Sequence, residues 1–358
     1  MEETLYCKLE KEELELVKEN PHTTQFFCHY GTVSKNNGNI RYKKYLKKKI
    51  KGEEPYKNEF TIKNYENEKI ERELKEDSKR LDYIEIGELL KSTIYWGQRK
   101  LLLSEIDFLT DFGKKGDVII YAGAATGEHI VTLIDMFPEY EYIGVDPRDF
   151  SEELQEKSKD NRIKLTLIKG YFTDDMAKDF SKKYKNILFI SDIRTEAVDK
   201  DIIENMEAQA RWHKLIKARK SMLKLRFPFG ENKMKYLDGE IRFQVWEKNE
   251  STETRLIIGK KTKEKEYDIR KYEGQLYYFN RVTRCQKYKH NYDIMGMDHC
   301  YDCTCELMIL EKYLRKAKVE TVFKKYKVEV LSMYITQELS HCGRNLFNIN
   351  KQTYKFIK

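Results

Sequence analysis

Residues 117–129 read DVIIYAGAATGEH, a short apolar run that enters a turn holding Gly123 and Gly127 and leaves as the start of a helix, Glu128–Phe137. An apolar run of this length, without polar alternation, is the pattern of a strand buried on both faces. The two glycines lack the side chain that would keep a ligand at a distance. The turn is not G-x-G-x-x-G and does not end in the Lys-Ser/Thr of a phosphate-binding loop, so a dinucleotide or a triphosphate is disfavoured.

Outward from this turn, helix and strand patterns alternate. Strands are expected at Tyr140–Val145, Lys164–Ile168, Asn186–Ser191 and Met222–Phe227, with helices at Gly97–Phe112, around Asp174–Lys183 and at Asp199–Arg219. The first helix carries Leu102, Leu103, Ile106 and Leu109 at helical spacing. The last opens with Asp199, Asp201 and Glu204 near the positive end of its dipole. This order predicts an α/β fold with a doubly wound, mainly parallel sheet. Residues 1–80 lack the alternation and read as an N-terminal extension, ahead of a main unit over 81–325 and a C-terminal segment over 326–358. In the extension, Arg41–Lys51 (RYKKYLKKKIK) interleaves Tyr42 and Tyr45 with basic residues, which suits phosphate contact with base stacking and equally a solvated lysine-rich face. Asn64–Arg80 reads as a charged helical connector.

Asp146 stands at the carboxyl end of the second strand, where an acid can accept hydrogen bonds from two ribose hydroxyls. Paired with a turn that has no phosphate cradle, it points to a nucleoside-bearing cofactor, S-adenosylmethionine; a tight turn and a solvated aspartate are the plainer explanation. Four more polar residues flank these elements: Lys100, Asp192, Lys224 and Glu240. Lys224 lies in a strand with Met222, Leu223, Leu225 and Phe227, where desolvation disfavours the charged form of an amine and a neutral lysine can act as a base. Each of the four alone has an ordinary structural explanation, including a snorkelling strand lysine. Their joint position at one rim of the sheet is what suggests a site.

The segments YWGQRKLLL, IIYAGAATGEHI, IGVDPR, LFISDIR, LKLRFPF, GEIRF and YEGQLYYFN occur in this order between Leu81 and Leu314. In order and spacing they resemble the poxvirus cap-specific mRNA 2′-O-methyltransferase family, whose protein also serves as the regulatory subunit of the viral poly(A) polymerase. The resemblance implies a Rossmann-like class I methyltransferase fold, S-adenosyl-L-methionine as cofactor, m7G-capped mRNA as substrate, a viral poly(A) polymerase catalytic subunit as partner, and action in the host cytoplasm without a metal. It maps the family's Lys-Asp-Lys-Glu tetrad onto Lys100, Asp192, Lys224 and Glu240. It assigns cofactor contacts to Gln98, Tyr121, Gly123, Gly127, His129, Asp146, Arg148, Phe172 and Arg194. For the methylated guanine it implies Phe229 and Tyr83 as stacking partners and Glu231 and Glu273 as acids, with Arg226 on the transcript backbone. Two aromatic faces and carboxylates suit a positively charged base.

Composition agrees with a folded, highly charged chain. Of 358 residues, 40% are hydrophobic and 36% charged, and 68 Lys plus Arg against 60 Asp plus Glu give a net charge of +8, an excess that favours polyanionic partners. No apolar run is long enough to span a bilayer, and the acidic start MEETLYCKLEKEELELVKEN is unlike a signal peptide, so an intracellular protein with reduced thiols is expected from its seven cysteines. His290, His299, Cys300, Cys303 and Cys305 cluster in the sequence. They lack a second paired half at zinc-finger spacing and overlap an amphipathic helix expected over Asp302–Tyr313, so structural thiols rather than a metal site are expected. A role confined to RNA or polymerase binding, through Arg41–Lys51 and the lysine-rich Lys312–Lys327, is the alternative to catalysis, and methylation of a small molecule or protein is a third reading.

Overall fold

The computed structural model describes residues 62–63, 70–82, 97–195, 198–248, 251–284, 287–288, 290, 292 and 301–339. The basic run at 41–51, Tyr83, His299 and Cys300 lie outside these residues. In chain order the elements are β1 (Ile62–Lys63), β2 (Glu73–Leu74), α1 (Gly97–Phe112), β3 (Val118–Ala122), α2 (Glu128–Met136), β4 (Glu141–Asp146), α3 (Glu152–Lys157), β5 (Leu165–Lys169), α4 (Asp174–Lys183), β6 (Ile187–Ser191), α5 (Asp199–Ile216), β7 (Lys220–Leu225), β8 (Lys233–Leu237), β9 (Glu240–Arg242), β10 (Thr254–Gly259), β11 (Glu264–Asp268), α6 (Ile269–Tyr278), β12 (Lys287–Tyr288), α7 (Tyr301–Lys316) and α8 (Val328–Glu338).

The main sheet has the order β2-β9-β10-β7-β6-β3-β4-β5. β3, β4, β5, β6 and β7 are parallel, while β10 enters antiparallel between β7 and β9. The chain winds outward from β3 to β5, then returns to β6 on the other side of β3. That reversal opens a crevice at the carboxyl ends of β3 and β6, the place where doubly wound sheets bind ligands. The sheet is Rossmann-like, as the alternating pattern predicts.

Burial explains the central strands. Every residue of VIIYA in β3 and ILFIS in β6 is buried. One core layer lies beneath α1, α2, α7 and α8, with Leu102, Leu133, Leu310 and Leu331 fully buried. The other lies beneath α4, α5 and α6, with Ala177, Ile202 and Ile269. At the ends of α4, Thr173 Oγ1 accepts from the Met176 amide at 3.2 Å, and Asp174 and Asp175 open a helix that Lys182 and Lys183 close, the charge order that suits a helix dipole.

Two expected boundaries shift. The helix expected to reach Arg219 stops at Ile216 because Lys217 turns left-handed at φ 57°, and the strand expected over Met222–Phe227 runs from Lys220 because pairing with β6 begins at Leu188 opposite Lys220. Packed structure also runs across the boundaries expected near 80 and 325. β2 pairs with β9, the Leu81 amide donates to the Gly274 carbonyl at 3.1 Å, and Leu331, Tyr334 and Ile335 of α8 belong to the first core layer. Cys303 and Cys305 are buried thiols on α7, and burial pushes Cys305 up to about 12, with Arg72 opposing. Among the described residues no helix is long and apolar enough to cross a membrane.

His213 on α5 is buried, with Nδ1 2.7 Å from Ser221 Oγ, and burial pushes its ring down to about 4. As pH falls below 6.5 the unfolded chain takes up this proton before the folded one does, so stability is lost between pH 6.5 and 4 and levels off below. The loss amounts to about 3 kcal/mol at one pKa unit per 1.4 kcal/mol. Urea unfolding of wild type and His213→Gln between pH 7 and 4 should show the steeper decline in wild type; equal slopes would be evidence against this.

Candidate functional site

Four backbone ends meet at the crevice. β3 runs into Gly123 and Gly127, both at φ 82°. A Cβ on Gly123 would lie 2.9 Å from the carbonyl carbon of Asp192 and from the Ile193 amide, so the bare backbone is what lets the turn close onto the end of β6. β4 delivers Asp146 and β7 delivers Lys224.

Asp146 is buried and fully engaged. Its Oδ2 accepts from the Ala125 amide at 3.0 Å, and its Oδ1 accepts from the Arg148 amide at 2.9 Å and Arg148 Nε at 3.1 Å. Arg148 Nη2 adds bonds to Asp146 Oδ2 at 3.3 Å and to the Ala125 carbonyl at 2.8 Å. The Arg148 side chain is 66% exposed, so it can leave while the two backbone donors keep the carboxylate aimed. Below the turn, Glu105 Oε1 accepts from Tyr121 OH at 2.7 Å and lies 3.0 Å from His129 Nε2, and His129 Nδ1 lies 2.6 Å from Gln98 Oε1. Burial, then the Glu105 charge, pushes Tyr121 well above its ordinary range. The polar residues expected around a nucleoside cofactor therefore fall in two groups, Gln98, Tyr121 and His129 around the buried Glu105 and Asp146 with Arg148 at the Ala125 backbone, while Phe172 and Arg194 join neither. Phe172 packs in the second core layer against Trp212, with ring centres 4.8 Å apart. Arg194 is lowered by its partial burial, with Glu253 opposing and Arg226 adding to the shift, which places it on the lysine side of the crevice.

Lys100, Asp192 and Lys224 come together, but Glu240 does not join them. It sits opposite Ile257 in the sheet and pairs with Arg242, while Glu73 beside it is raised by burial and then by the Glu240 charge. The carboxylate between the lysines is Glu253, at the entry to β10. Its Oε1 lies 2.9 Å from Lys100 Nζ and its Oε2 3.4 Å from Lys224 Nζ. Lys224 Nζ is also 3.0 Å from Asp192 Oδ1, which Arg255 Nη2 approaches to 2.7 Å. Register explains the meeting: Arg255 of β10 lies directly opposite Lys224 of β7, so both project to one face, and Glu253 precedes Arg255 by two residues. Among the described residues neither Asp192 Oδ1 nor the two terminal Arg255 nitrogens has an aligned hydrogen-bond partner, so these contacts are ion pairs.

The charges of this cluster are settled by their neighbours. Burial would raise Glu253, but Lys100, Lys224 and Arg255 outweigh it and hold the acid well below its usual range. Asp192 is likewise lowered, with Lys224 and Arg255 prevailing over burial. Burial would lower Lys100, yet Glu253 and Glu247 keep it above the ordinary lysine range. Glu253, Arg255 and Glu247 were not singled out by sequence reasoning. The signal available was Glu-x-Arg heading the apolar run LIIG, which sets two charges on one face of a strand.

The remaining expected residues lie to one side. Phe229 is 50% exposed with the Arg226 guanidinium 4.8 Å from its ring centre, and its amide donates to Asp199 Oδ1 at 3.0 Å. Glu231 is exposed. Glu273 is raised by burial against the pull of Arg270 and lines a cavity of about 610 Å³ with Arg80, Asp82 and Lys233.

A doubly wound sheet with a glycine turn after its first parallel strand, an acid ending its second and an antiparallel strand inserted near one edge has the fold of a class I methyltransferase. The chain belongs to the poly(A) polymerase regulatory subunit family, whose profile matches residues 69–340. Solved structures with similarity include bluetongue virus VP4, described as a multifunctional RNA-capping production line, at TM-score 0.39 and 13% identity over 58% of this chain and 37% of that one. An antibiotic-related methyltransferase has TM-score 0.22 and 19% identity over 37% and 64%. An S-adenosylmethionine-dependent methyltransferase from Clostridium acetobutylicum has TM-score 0.22 and 11% identity over 52% and 82%. The chain thus spans 37% of the length of the bluetongue virus protein.

Gly123→Ala should destabilise the protein by about 1–3 kcal/mol, since it adds a steric clash to a left-handed backbone. Gly116→Ala, at φ 83° with nothing within 4 Å of the added methyl, should cost less. Chemical denaturation of both variants checks the ranking, and equal losses would count against a tight closure of the turn onto β6.

Proposed function

We propose that the protein is a cap-specific mRNA 2′-O-methyltransferase, moving a methyl group from S-adenosylmethionine to the 2′-hydroxyl of the first transcribed nucleotide of m7G-capped RNA. The observation that carries this reading is the pair of lysines, Lys100 and Lys224, bridged by Glu253 at the crevice rim beside the Gly123 turn.

The residues at the crevice fit a nucleoside without phosphates. Asp146 is a buried acid with two exchangeable Arg148 side-chain bonds, able to take two ribose hydroxyls in their place, and the Gly123 turn closes beside it, the Gly123 amide donating to the Val145 carbonyl at 2.9 Å. When bound, S-adenosylmethionine supplies an electrophilic methyl group on a positively charged sulfur. The chain supplies the rest. Lys224 Nζ, directed by Asp192 and Glu253, receives the proton of the attacking hydroxyl. Lys100, held charged by Glu253 and Glu247, keeps a positive charge on the other side of Glu253 from Lys224. Arg255 draws Asp192 into place. Alignment of the reacting atoms contributes on the order of several kcal/mol beyond basicity. Phe229 with Glu273 and Glu231 suits a cationic methylguanine, and Arg226 and Arg194 suit the transcript phosphates.

A second role in poly(A) polymerase regulation is favoured by family membership and by the exposed basic residues that end α7 and follow it, Arg315, Lys316, Lys318, Lys325 and Lys327. The two roles are compatible, because the basic surface and the crevice use different residues.

Radiolabelled cofactor offered with cap-0, cap-1 and uncapped RNA, with and without a poly(A) polymerase, tests both. Cap-0 RNA alone should be labelled. Lys224→Ala and Glu253→Ala should each lower transfer by about 10² or more, as expected for loss of a proton acceptor or its support, with cofactor binding retained. Glu240→Ala should stay within a few-fold of wild type. Near-normal turnover in Lys224→Ala would remove the base assignment, and equal labelling of uncapped RNA would remove the cap specificity.

A further inference from the structure

Lys100 does not belong to Glu253 alone. Its Nζ lies 2.6 Å from Oε2 of Glu247, a shorter contact than the 2.9 Å to Glu253. Glu247 lies in the segment between β9 and β10, in sequence a loop acid like many others, but it is buried and held in place from several directions. Gln244 Nε2 spans both carboxylates, 3.1 Å from Glu247 Oε2 and 3.3 Å from Glu253 Oε1. The Glu247 carbonyl accepts from Arg284 Nη2 at 2.9 Å, and Arg284 is locked to Asp302 in a pair with no exposed surface. Trp246, just before it, adopts φ 60°, its amide donating to Asp302 Oδ1 at 3.2 Å and its indole to Glu306 Oε2 at 2.8 Å. A bulky residue at positive φ is costly and persists only where its surroundings impose it. Here two buried ion networks hold a backbone conformation whose visible product is one acid aimed at Lys100.

We propose that Glu247 is a positioning residue of this site, supplying the third carboxylate charge that balances three buried cations and so setting the pH at which Lys224 acts. This rests on the methyl-transfer reading. The cations are Lys100, Lys224 and Arg255, and the carboxylates are Asp192, Glu253 and Glu247. Tyr121 on β3 lies beside the group, and Arg194 and Arg226 flank it at the ends of β6 and β7. With all six ionised the cluster is neutral, so release of a proton from Lys224 leaves it with one negative charge in excess. Without the charge of Glu247 the cluster carries one excess positive charge, which a neutral Lys224 relieves. Glu247 therefore opposes deprotonation of Lys224, and Lys100 favours it.

The test uses the full chain with 13C-labelled lysine, the Lys224 Cε resonance being assigned by its loss in Lys224→Arg. Its titration needs no turnover. In parallel, the acid limb of kcat/KM is followed with capped RNA. In Glu247→Gln both midpoints should fall by roughly half a pH unit to one unit, the lower end of the range for nearby charges. Glu247→Asp keeps the charge on a shorter arm, so its midpoints should lie between those of Glu247→Gln and wild type. Midpoints that stay, rise, or fall equally in the two variants overturn the proposal. If Glu247→Gln does not fold, the Asp variant against wild type decides. If wild type does not methylate capped RNA, the functional reading fails on its own while the Lys224 titration still decides the part played by Glu247.

Discussion

One carboxylate, Glu253, lies within ion-pairing distance of two lysines that would otherwise repel each other inside the protein. Burying an ammonium group without a partner costs several kcal/mol, and burying two close together costs more. The meeting of Lys100 from α1 with Lys224 from β7 therefore depends on the acid between them, and that acid depends on β10 entering antiparallel so that its first residues arrive at the carboxyl ends of the parallel strands. The inserted strand thus builds the charged cluster as well as the sheet. A parallel strand in that position would bring its last residues there instead of its first.

The surroundings are built to keep that geometry. Arg99 donates to Glu306 at 2.7 Å and to Thr336 at 2.6 Å, tying α1 to α7 and α8. The Arg284–Asp302 pair ties the segment that follows α6 to α7. Buried pairs of this kind add little net stability compared with well-packed apolar residues, but losing one partner strands the other as a buried charge. Their return is orientation. Through them the helix that carries Lys100 and the segment that carries Glu247 are both fixed against α7, and the relative placement of the two groups follows.

The central fold was legible because β3, β4 and β6 are short apolar runs, and because α4 is bracketed by a threonine cap, early acids and late lysines. Gly123, Asp146 and Lys224 were legible for a related reason: each departs from what its element would otherwise hold. Glu240 and Glu253 could not be told apart in this way. Both are glutamates at the start of a short strand, and the difference between them lies in strand order, with β10 inserted between β7 and β9. Local sequence does not encode which strand neighbours which. Glu247 was hidden for the same reason, since its meaning comes from Arg284 and Asp302, residues distant in the chain. Phe172 reads equally well as a ring beside a ligand or as core, and its packing on Trp212 places it in the second core layer.

The Asp146–Arg148 contact bears on which molecules can settle at the end of β4. In the resting protein the acid is already saturated with donors, so nothing is gained by a newcomer that merely offers another positive or polar group. A sugar with two neighbouring hydroxyls can replace the guanidinium bond for bond and leave both oxygens satisfied. One lacking either hydroxyl leaves an oxygen short of a partner in a place that water scarcely reaches. An exposed arginine in that place would make a simple acceptor selective for vicinal diols, with the Ala125 and Arg148 amides still holding the carboxylate.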